Sequence, residues 1–193
     1  MDIFSMNDFE NEKFENIKIL EGDCSGKTFT NCYFTTCDFS GSDFSSSTFE
    51  QCKFQECNLG LVKFVNTSLF GVEFDGCKIS GVSFLECSAF GLDIKFSKCN
   101  INNCNFSNLK LKKSLFKNCE IIDTDFIYSD LTESDFTGSL FRGTEFSNTN
   151  LTRSDFSEAQ GYKIHPLNNI IKKAVFTLPD AVSLLEQLGI VIK

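Results

Sequence analysis

Residues 28–49 read TFTNCYFTTCDFSGSDFSSSTF, and within them Phe29, Phe34, Phe39, Phe44 and Phe49 stand five apart. The same spacing continues through Phe54, Leu59, Phe64, Leu69, Phe74, Ile79 and Phe84. It returns in a second run, Ile101, Phe106, Leu111, Phe116, Ile121, Phe126, Leu131, Phe136, Phe141, Phe146, Leu151 and Phe156. A period of five matches neither the 3.6 of a helix nor the 2.0 of a flat strand, so each pentapeptide is a unit that turns and repeats. That period decides the fold class.

Two residues before each large centre the chain is small or β-branched, as at Cys32, Ser42, Val62, Thr67, Cys104, Thr124 and Ser154. Positions i−2 and i point to the same side of an extended segment, so each unit turns one small and one large side chain inward. The residue between them faces out and is mostly polar, and the other two are rich in Ser, Asn and Gly, which turn corners. A second period of twenty aligns Phe34, Phe54 and Phe74, and likewise Phe116, Phe136 and Phe156. Twenty is four pentapeptides, so the expected fold is an all-β, four-sided coil with Phe on two opposite walls and mainly Leu or Ile on the others. The two frames differ by two residues. The shift is placed between residues 89 and 101, with Phe96 as the first new centre and a bulge around Gly91, Leu92 and Asp93. The expected layout is an N-terminal cap with irregular first repeats over 1–28, the regular coil over 29–158, and a connector, helix and final strand over 159–193.

Ten cysteines would suggest disulfides or metal in a small secreted chain. Here all but Cys24, which falls on a centre, occupy i−2 positions shared with Ser, Thr and Val. They read as small buried residues, and no disulfide, metal site or cofactor is expected. The opening residues lack a basic and apolar leader, and no run of 18 apolar residues occurs, so a cytoplasmic, non-membrane protein is expected. The single histidine, His165, has no partners for metal or nucleophilic chemistry. The carboxylates recur at outward repeat positions, and no phosphate-binding glycine motif appears, so no enzyme is expected and no catalytic residue is assigned.

Net charge is −8. Residues 1–60 hold 11 acids against 4 bases and 120–158 hold 9 against 2, whereas 61–119 hold 4 acids and 8 bases. An acidic rod repels nucleic acid and suits a basic, DNA-binding protein surface, so no direct nucleic-acid binding is expected. The interleaved Phe96, Phe106 and Phe116 of the basic stretch are centres that point inward. Apolar residues also fall at outward positions: Phe70 and Phe90, twenty apart and so expected to stack, with Val65, Leu85, Ile127, Leu61, Leu115, Ile122 and Leu140 elsewhere. Aligned apolar residues mark either a contact surface or packing under a terminal segment.

Runs such as Ser134-Asp135-Phe136-Thr137-Gly138 and Ser154-Asp155-Phe156-Ser157-Glu158 resemble the pentapeptide-repeat family. The resemblance covers roughly residues 29–158 and implies a right-handed quadrilateral β-helix. Past Phe156 a short helix is expected over 177–188, N-capped by Thr177, with Pro179 and Asp180 in its first turn and Gly189 at its end. Ala181, Leu184, Leu185 and Leu188 form its apolar stripe, and Ile190-Val191-Ile192 is read as a last strand. The tail LLEQLGIVI over 184–192 and the segment SAFGLDI over 88–94 resemble the Qnr, MfpA and McbG group of topoisomerase-interacting proteins. That resemblance implies a homodimer joined through the C-terminal helix, and a partner in DNA gyrase or topoisomerase IV met by DNA mimicry or protection from toxins. The count of fives leaves no room for two long projecting loops, which sets the chain apart from typical Qnr members. Ala181, Val182, Leu184, Leu185, Leu188 and Ile190 are the candidate dimer interface. The candidate partner surface is Asp125, Asp130, Glu133, Asp135, Glu145 and Asp155, together with Phe70 and Phe90. The reading of a different class is a structural scaffold repeat protein with an unrelated protein partner.

Overall fold

The computed structural model describes residues 6–191. They form a parallel β-solenoid of about 8 turns closed by one short C-terminal helix. Four walls carry the inward centres. Wall 1 holds Phe9, Phe29, Phe49 and Leu69, and beyond a bulge Leu111, Leu131 and Leu151; wall 2 runs from Phe14 through Phe34, Phe54, Phe74, Phe96, Phe116, Phe136 and Phe156 to Phe176. Wall 3 carries Phe39, Leu59, Ile79, Ile101, Ile121 and Phe141, and wall 4 carries Phe44, Phe64, Phe84, Phe106, Phe126 and Phe146. The strands are two to four residues long and pair in register with neighbouring turns, as Phe34 does with Phe14 and Phe54.

Ring stacking follows from that register. Neighbouring strands lie ~4.8 Å apart, and successive Phe rings on wall 2 have centroids 4.5 Å (Phe34–Phe54), 5.1 Å (Phe96–Phe116) and 5.0 Å (Phe116–Phe136) apart and nearly parallel. Across the core, rings from the opposite walls 2 and 4 meet edge to face, Phe106 on Phe116 at 5.5 Å and 89°. Both arrangements are favoured by the ring quadrupole.

The corner after each centre sits at i+2 with φ near +55°, as at Asn31, Asn66, Asn118 and Asn148. Asn and Gly tolerate that region, which explains why they recur there. Gly143 has φ +61, and a Cβ there would meet the Asp123 carboxylate one turn below, which would have to turn aside.

The i−2 side chains do more than fill space. Thr67 Oγ1 donates to the Phe44 carbonyl at 2.7 Å, and Ser134 and Ser154 donate to Leu111 and Leu131 at 2.8 Å. The cysteines stand in the same place: Cys52 Sγ is 3.3 Å from the Phe29 carbonyl and Cys57 Sγ 3.3 Å from that of Phe34. The expectation that Cys acts as a small apolar residue is therefore incomplete, because its weak S–H donor gives a further partner to a buried backbone carbonyl, as the Ser and Thr hydroxyls do. All ten cysteines are buried thiols, none of them joined in a disulfide. Burial pushes the thiols of Cys52 and Cys87 up to about 12 and that of Cys104 to about 11.

Phe96 pairs with Phe74 and Ile101 with Ile79, each 22 residues earlier, so this turn carries two residues more than its neighbours. Ala89 is exposed, and Leu92 instead packs onto the core, leaving Phe90 and Gly91 outside. Alanine is too small to serve as a centre, and the two extra residues let a leucine reach back.

Several expectations change at the ends. The coil is already formed ahead of residue 29: Asp8–Glu10 pairs with Thr28–Thr30 and Lys13–Glu15 with Tyr33–Thr35. Backbone ladders to the second turn carry the first turn although Ile19 and Cys24 replace Phe as centres. At the other end the coil does not stop at residue 158. Residues 159–176 make one more turn, with Ile164 beside Phe146 and Phe176 beside Phe156. That turn drops two residues on reaching Ile164 and regains them before Ile170, which pairs with Asn150, so its period vanishes from the sequence. Asn169 fills the i−2 place, donating to the Phe146 carbonyl at 2.9 Å and accepting from the Thr149 N–H at 2.9 Å. The helix spans only Val182–Glu186. Thr177 does not cap it, because its hydroxyl accepts the Glu158 N–H at 2.8 Å, while Asp180 accepts the Gly161 N–H at 2.8 Å. Both side chains satisfy the last turn's open edge instead of the helix. Ile190 and Val191 form no strand, and Ile192 lies outside the described residues.

Phe126→Ala removes a fully buried ring from the middle of a stack and is expected to cost about 3–5 kcal/mol, read by denaturant unfolding. A change below about 1 kcal/mol would refute the inward stack. The thiols give a second check. Their folded values are raised, so the stability they carry is complete below the unfolded value of about 8.5 and is lost as pH rises toward about 12. Melting temperature should fall steadily above about pH 9, and a disulfide reagent at about pH 8 should find native thiols unreactive and all ten reactive after denaturation.

Candidate functional site

The six acids singled out in the sequence do not share one face. Asp125 and Glu145 stack on wall 4, continuing a line from Asn105. Asp130 is on wall 1 between Lys110 and Asn150, Asp135 and Asp155 are on wall 2, and Glu133 sits at the corner between those two walls.

Three of the six are paired with cations of the neighbouring turns. Lys112 Nζ lies 3.2 Å from Asp130, Lys117 Nζ 3.0 Å from Asp135, and Glu133 meets both Lys113 at 3.8 Å and Arg153 at 3.0 Å. The basic stretch and the acidic stretch, separate in sequence, are adjacent on the rod. The carboxylates also hold the corners: Asp130 accepts from Thr132 N–H at 3.1 Å, Asp135 from Thr137 N–H at 2.9 Å and Asp155 from Ser157 N–H at 2.8 Å. Partial burial acts to raise the Asp130 and Asp135 values, but the threonine hydrogen bonds and the lysines outweigh it and hold both carboxyls below the usual range. Asn105 and Asn150 make the same contact, to Ser107 at 2.9 Å and Thr152 at 3.1 Å, so outward Asp and Asn are interchangeable for the fold.

Asp125 and Glu145, with Asp123 at the corner of walls 3 and 4, take part in no ion pair among the described residues. Asp123 is absent from the sequence-derived candidates, and its only signal there is its place twenty residues before Gly143. At this corner Asp123 and Glu145 are exposed and Asp125 is half-buried; Asp155, on wall 2, takes part in no ion pair among the described residues either.

Phe70 is 45% exposed and Phe90 is 90% exposed. The expectation that they stack fails, because the two-residue insertion falls in that turn and lifts Phe90 off the column. The helix residues divide. Leu184 packs partly buried on the core, Ala181 and Val182 are half-buried, and Leu185, Leu188 and Ile190 are exposed beside Leu178 and Val191. Ile170 and Val175, at outward positions of the last turn, are exposed as well.

Under the helix, Tyr162 is 2% exposed and packs at 5.5 Å against both Phe156 and Phe176. Its hydroxyl is the one buried side-chain polar atom without a hydrogen-bond partner among the described residues. Burial, and then the Asp180 charge, push the phenol up to about 12. No cluster of His, Cys, Asp and Glu suited to a metal occurs among the described residues, and no helix there is long and apolar enough to cross a membrane.

A four-walled coil with inward Phe, small i−2 residues and Asx-held corners defines a class of solenoid built on pentapeptides. The chain matches the family described as pentapeptide repeat region over residues 27–91 and 92–165, and it belongs to that family. The break between the two matches falls at the bulge. No curated protein matches the chain by sequence. Among solved structures it is similar to QnrB1, a plasmid-mediated fluoroquinolone resistance protein, in a trypsin-treated form with a single substitution: 23% identity, 96% of this chain against 98% of that one, TM-score 0.66. Full-length QnrB1 gives 21% identity over 95% of this chain and 100% of that one, TM-score 0.55. HetL, a pentapeptide repeat protein involved in heterocyst differentiation regulation in the cyanobacterium Nostoc, gives 13% identity over 86% and 87%, TM-score 0.50. At these identities the likeness is one of fold.

Tyr162→Phe should raise stability by about 1 kcal/mol, since it deletes a buried hydroxyl that gains nothing. A measured loss of stability would show that the hydroxyl has a partner.

Proposed function

We propose that this protein is a non-enzymatic binding protein, dimeric through its C-terminal end, that engages DNA gyrase or topoisomerase IV and modulates or protects it. The observation that carries this reading is the unpaired acidic corner Asp123, Asp125 and Glu145 on a narrow rod. Carboxylates there recur about every 4.8 Å along the axis, against one charge per ~1.7 Å on duplex DNA. The rod imitates DNA in sign and width, not in charge density, so binding is modest and weakens with salt. The overall likeness to a fluoroquinolone resistance protein, and the tail that resembles the topoisomerase-interacting group, support the choice of enzyme. Asp130, Glu133 and Asp135 contribute less than the sequence suggests, because lysines and Arg153 already pair with them.

The dimer rests on apolar surface beyond what capping needs. Leu184 alone turns onto the core, while Leu185, Leu188 and Ile190 remain exposed next to Val175 and Leu178. A two-fold contact between such ends buries the same patch on both copies. The scaffold reading gains from one observation, that much of the acidic surface is spent on ion pairs within the rod.

The test is binding to immobilised gyrase and topoisomerase IV at rising salt, alongside supercoiling with and without a quinolone. Wild-type protein should bind with an affinity that falls as salt rises, and Asp125→Asn with Glu145→Gln should flatten that dependence without changing the melting temperature. Absence of binding to either enzyme, with no effect on supercoiling or drug-stabilised cleavage, hands the case to the scaffold reading. Leu185→Glu should convert a dimer to a monomer in light scattering, and a wild-type monomer at tens of micromolar would remove the dimer.

A further inference from the structure

The solenoid spends nearly all its phenylalanines on the core, which makes the exception at the bulge informative. Along wall 1 the residue after each centre faces out: Glu10, Thr30, Glu50 and Phe70 in the N-terminal turns, and Lys112, Thr132 and Thr152 after the bulge. Every member but Phe70 is polar. Phe90, which would be the fifth, stands 90% exposed on the chain's two-residue insertion, with Gly91 beside it at φ +72. The insertion serves the core through Leu92, but nothing in the core asks for an aromatic at position 90. Fully exposing a Phe forgoes burial that a partner can recover. Phe70 lies against the backbone at Gly91, where a Cβ would come within 3.6 Å of its ring, so the bulge rests on a second, half-exposed aromatic.

The charges around this knob are not those of the acidic corner. On its C-terminal side lie Lys110, Lys112 and Lys113, the last two with side chains 59% and 77% exposed. Lys112 and Lys113 pair with Asp130 and Glu133 in the next turn, whereas Lys110 is exposed and takes part in no ion pair among the described residues. An apolar projection flanked by lysines complements an apolar socket with carboxylates on one rim, the reverse of the basic surface that the Asp123–Asp125–Glu145 corner fits.

We propose that Phe90, backed by Phe70, is the anchor by which this protein docks into an apolar, acid-rimmed socket on the type II topoisomerase. This rests on the function proposed above and adds a second epitope to it, on a different wall from the acidic corner. The two epitopes divide the labour. The acidic corner sets the salt dependence, and the anchor supplies affinity that salt does not weaken, as buried aromatics do at interfaces.

The experiment compares wild type, Phe90→Ala, Phe90→Trp and the Asp125→Asn/Glu145→Gln pair for binding to the immobilised enzyme at low and high salt. Circular dichroism melts show that each variant is folded. Phe90→Ala should melt like wild type, since the ring is in solvent, yet lose at least about tenfold in affinity at both salt concentrations. Phe90→Trp should keep the affinity, and the acid pair should lose affinity mainly at low salt. If wild type binds and Phe90→Ala binds within about twofold of it, the anchor is overturned while the proposed function stands. If wild type binds neither topoisomerase, the proposed function falls, and the anchor falls with it.

Discussion

The register between turns governs this molecule. Parallel hydrogen bonding fixes neighbouring strands ~4.8 Å apart, a distance that also suits two aromatic rings in near-parallel contact, and the wall 2 rings sit 4.5–5.2 Å apart. Backbone and side chain thus ask for the same rise. A residue that stacks well on its neighbour twenty positions away is also one whose strand pairs well, and each turn templates the next. The corners of the regular turns must then bring the chain round in five residues, which asks for the left-handed backbone at i+2 and a small or β-branched side chain at i−2, in most turns one that also donates to a buried carbonyl. Those two demands account for the Asn, Gly, Ser, Thr and Cys content better than any functional argument does.

Such a core is easy to read in the sequence because its rules are local and periodic. Phe29 to Phe84 and Ile101 to Phe156 all point inward, and the offset of two between those runs locates the bulge. What escapes are the places where contact replaces pattern. The first turn lacks the Phe columns on two walls, yet ladders to the second turn hold it. The last turn loses two residues at one corner and regains them at the next, which no count of fives detects. Thr177 and Asp180 look like helix-capping residues, but open N–H groups at Glu158 and Gly161 compete for the same oxygens and win. An open solenoid edge is a stronger claimant than a helix of five residues.

The candidate site is legible only in part, for a geometric reason. A segment's net charge says what lies along the chain, whereas a solenoid places residue i beside i+20. Lys112, Lys113 and Lys117 belong to a basic segment by sequence and to an acidic neighbourhood by structure. The six acids form a stretch along the chain, and the coil distributes a stretch around all sides. Sorting the same residues by wall puts Asp130, Glu133 and Asp135 beside their cations and leaves Asp125, Glu145 and Asp155 without one, the first two beside Asp123 at the corner of walls 3 and 4.

Wall-by-wall sorting also decides what a partner meets. A rod approached from the corner of walls 3 and 4 presents carboxylates; from wall 1 it presents an aromatic knob with lysines beyond it; from its C-terminal end it presents leucine, isoleucine and valine. These surfaces are mutually exclusive for one flat contact, since they face different directions on a rigid core. A single enzyme that uses the first two must curve around the rod, and the end is left free for a second copy. The acids that hold corners tolerate Asn without loss of fold, so the charge at Asp125 and Glu145, where no cation is paired, bears on recognition more than on stability.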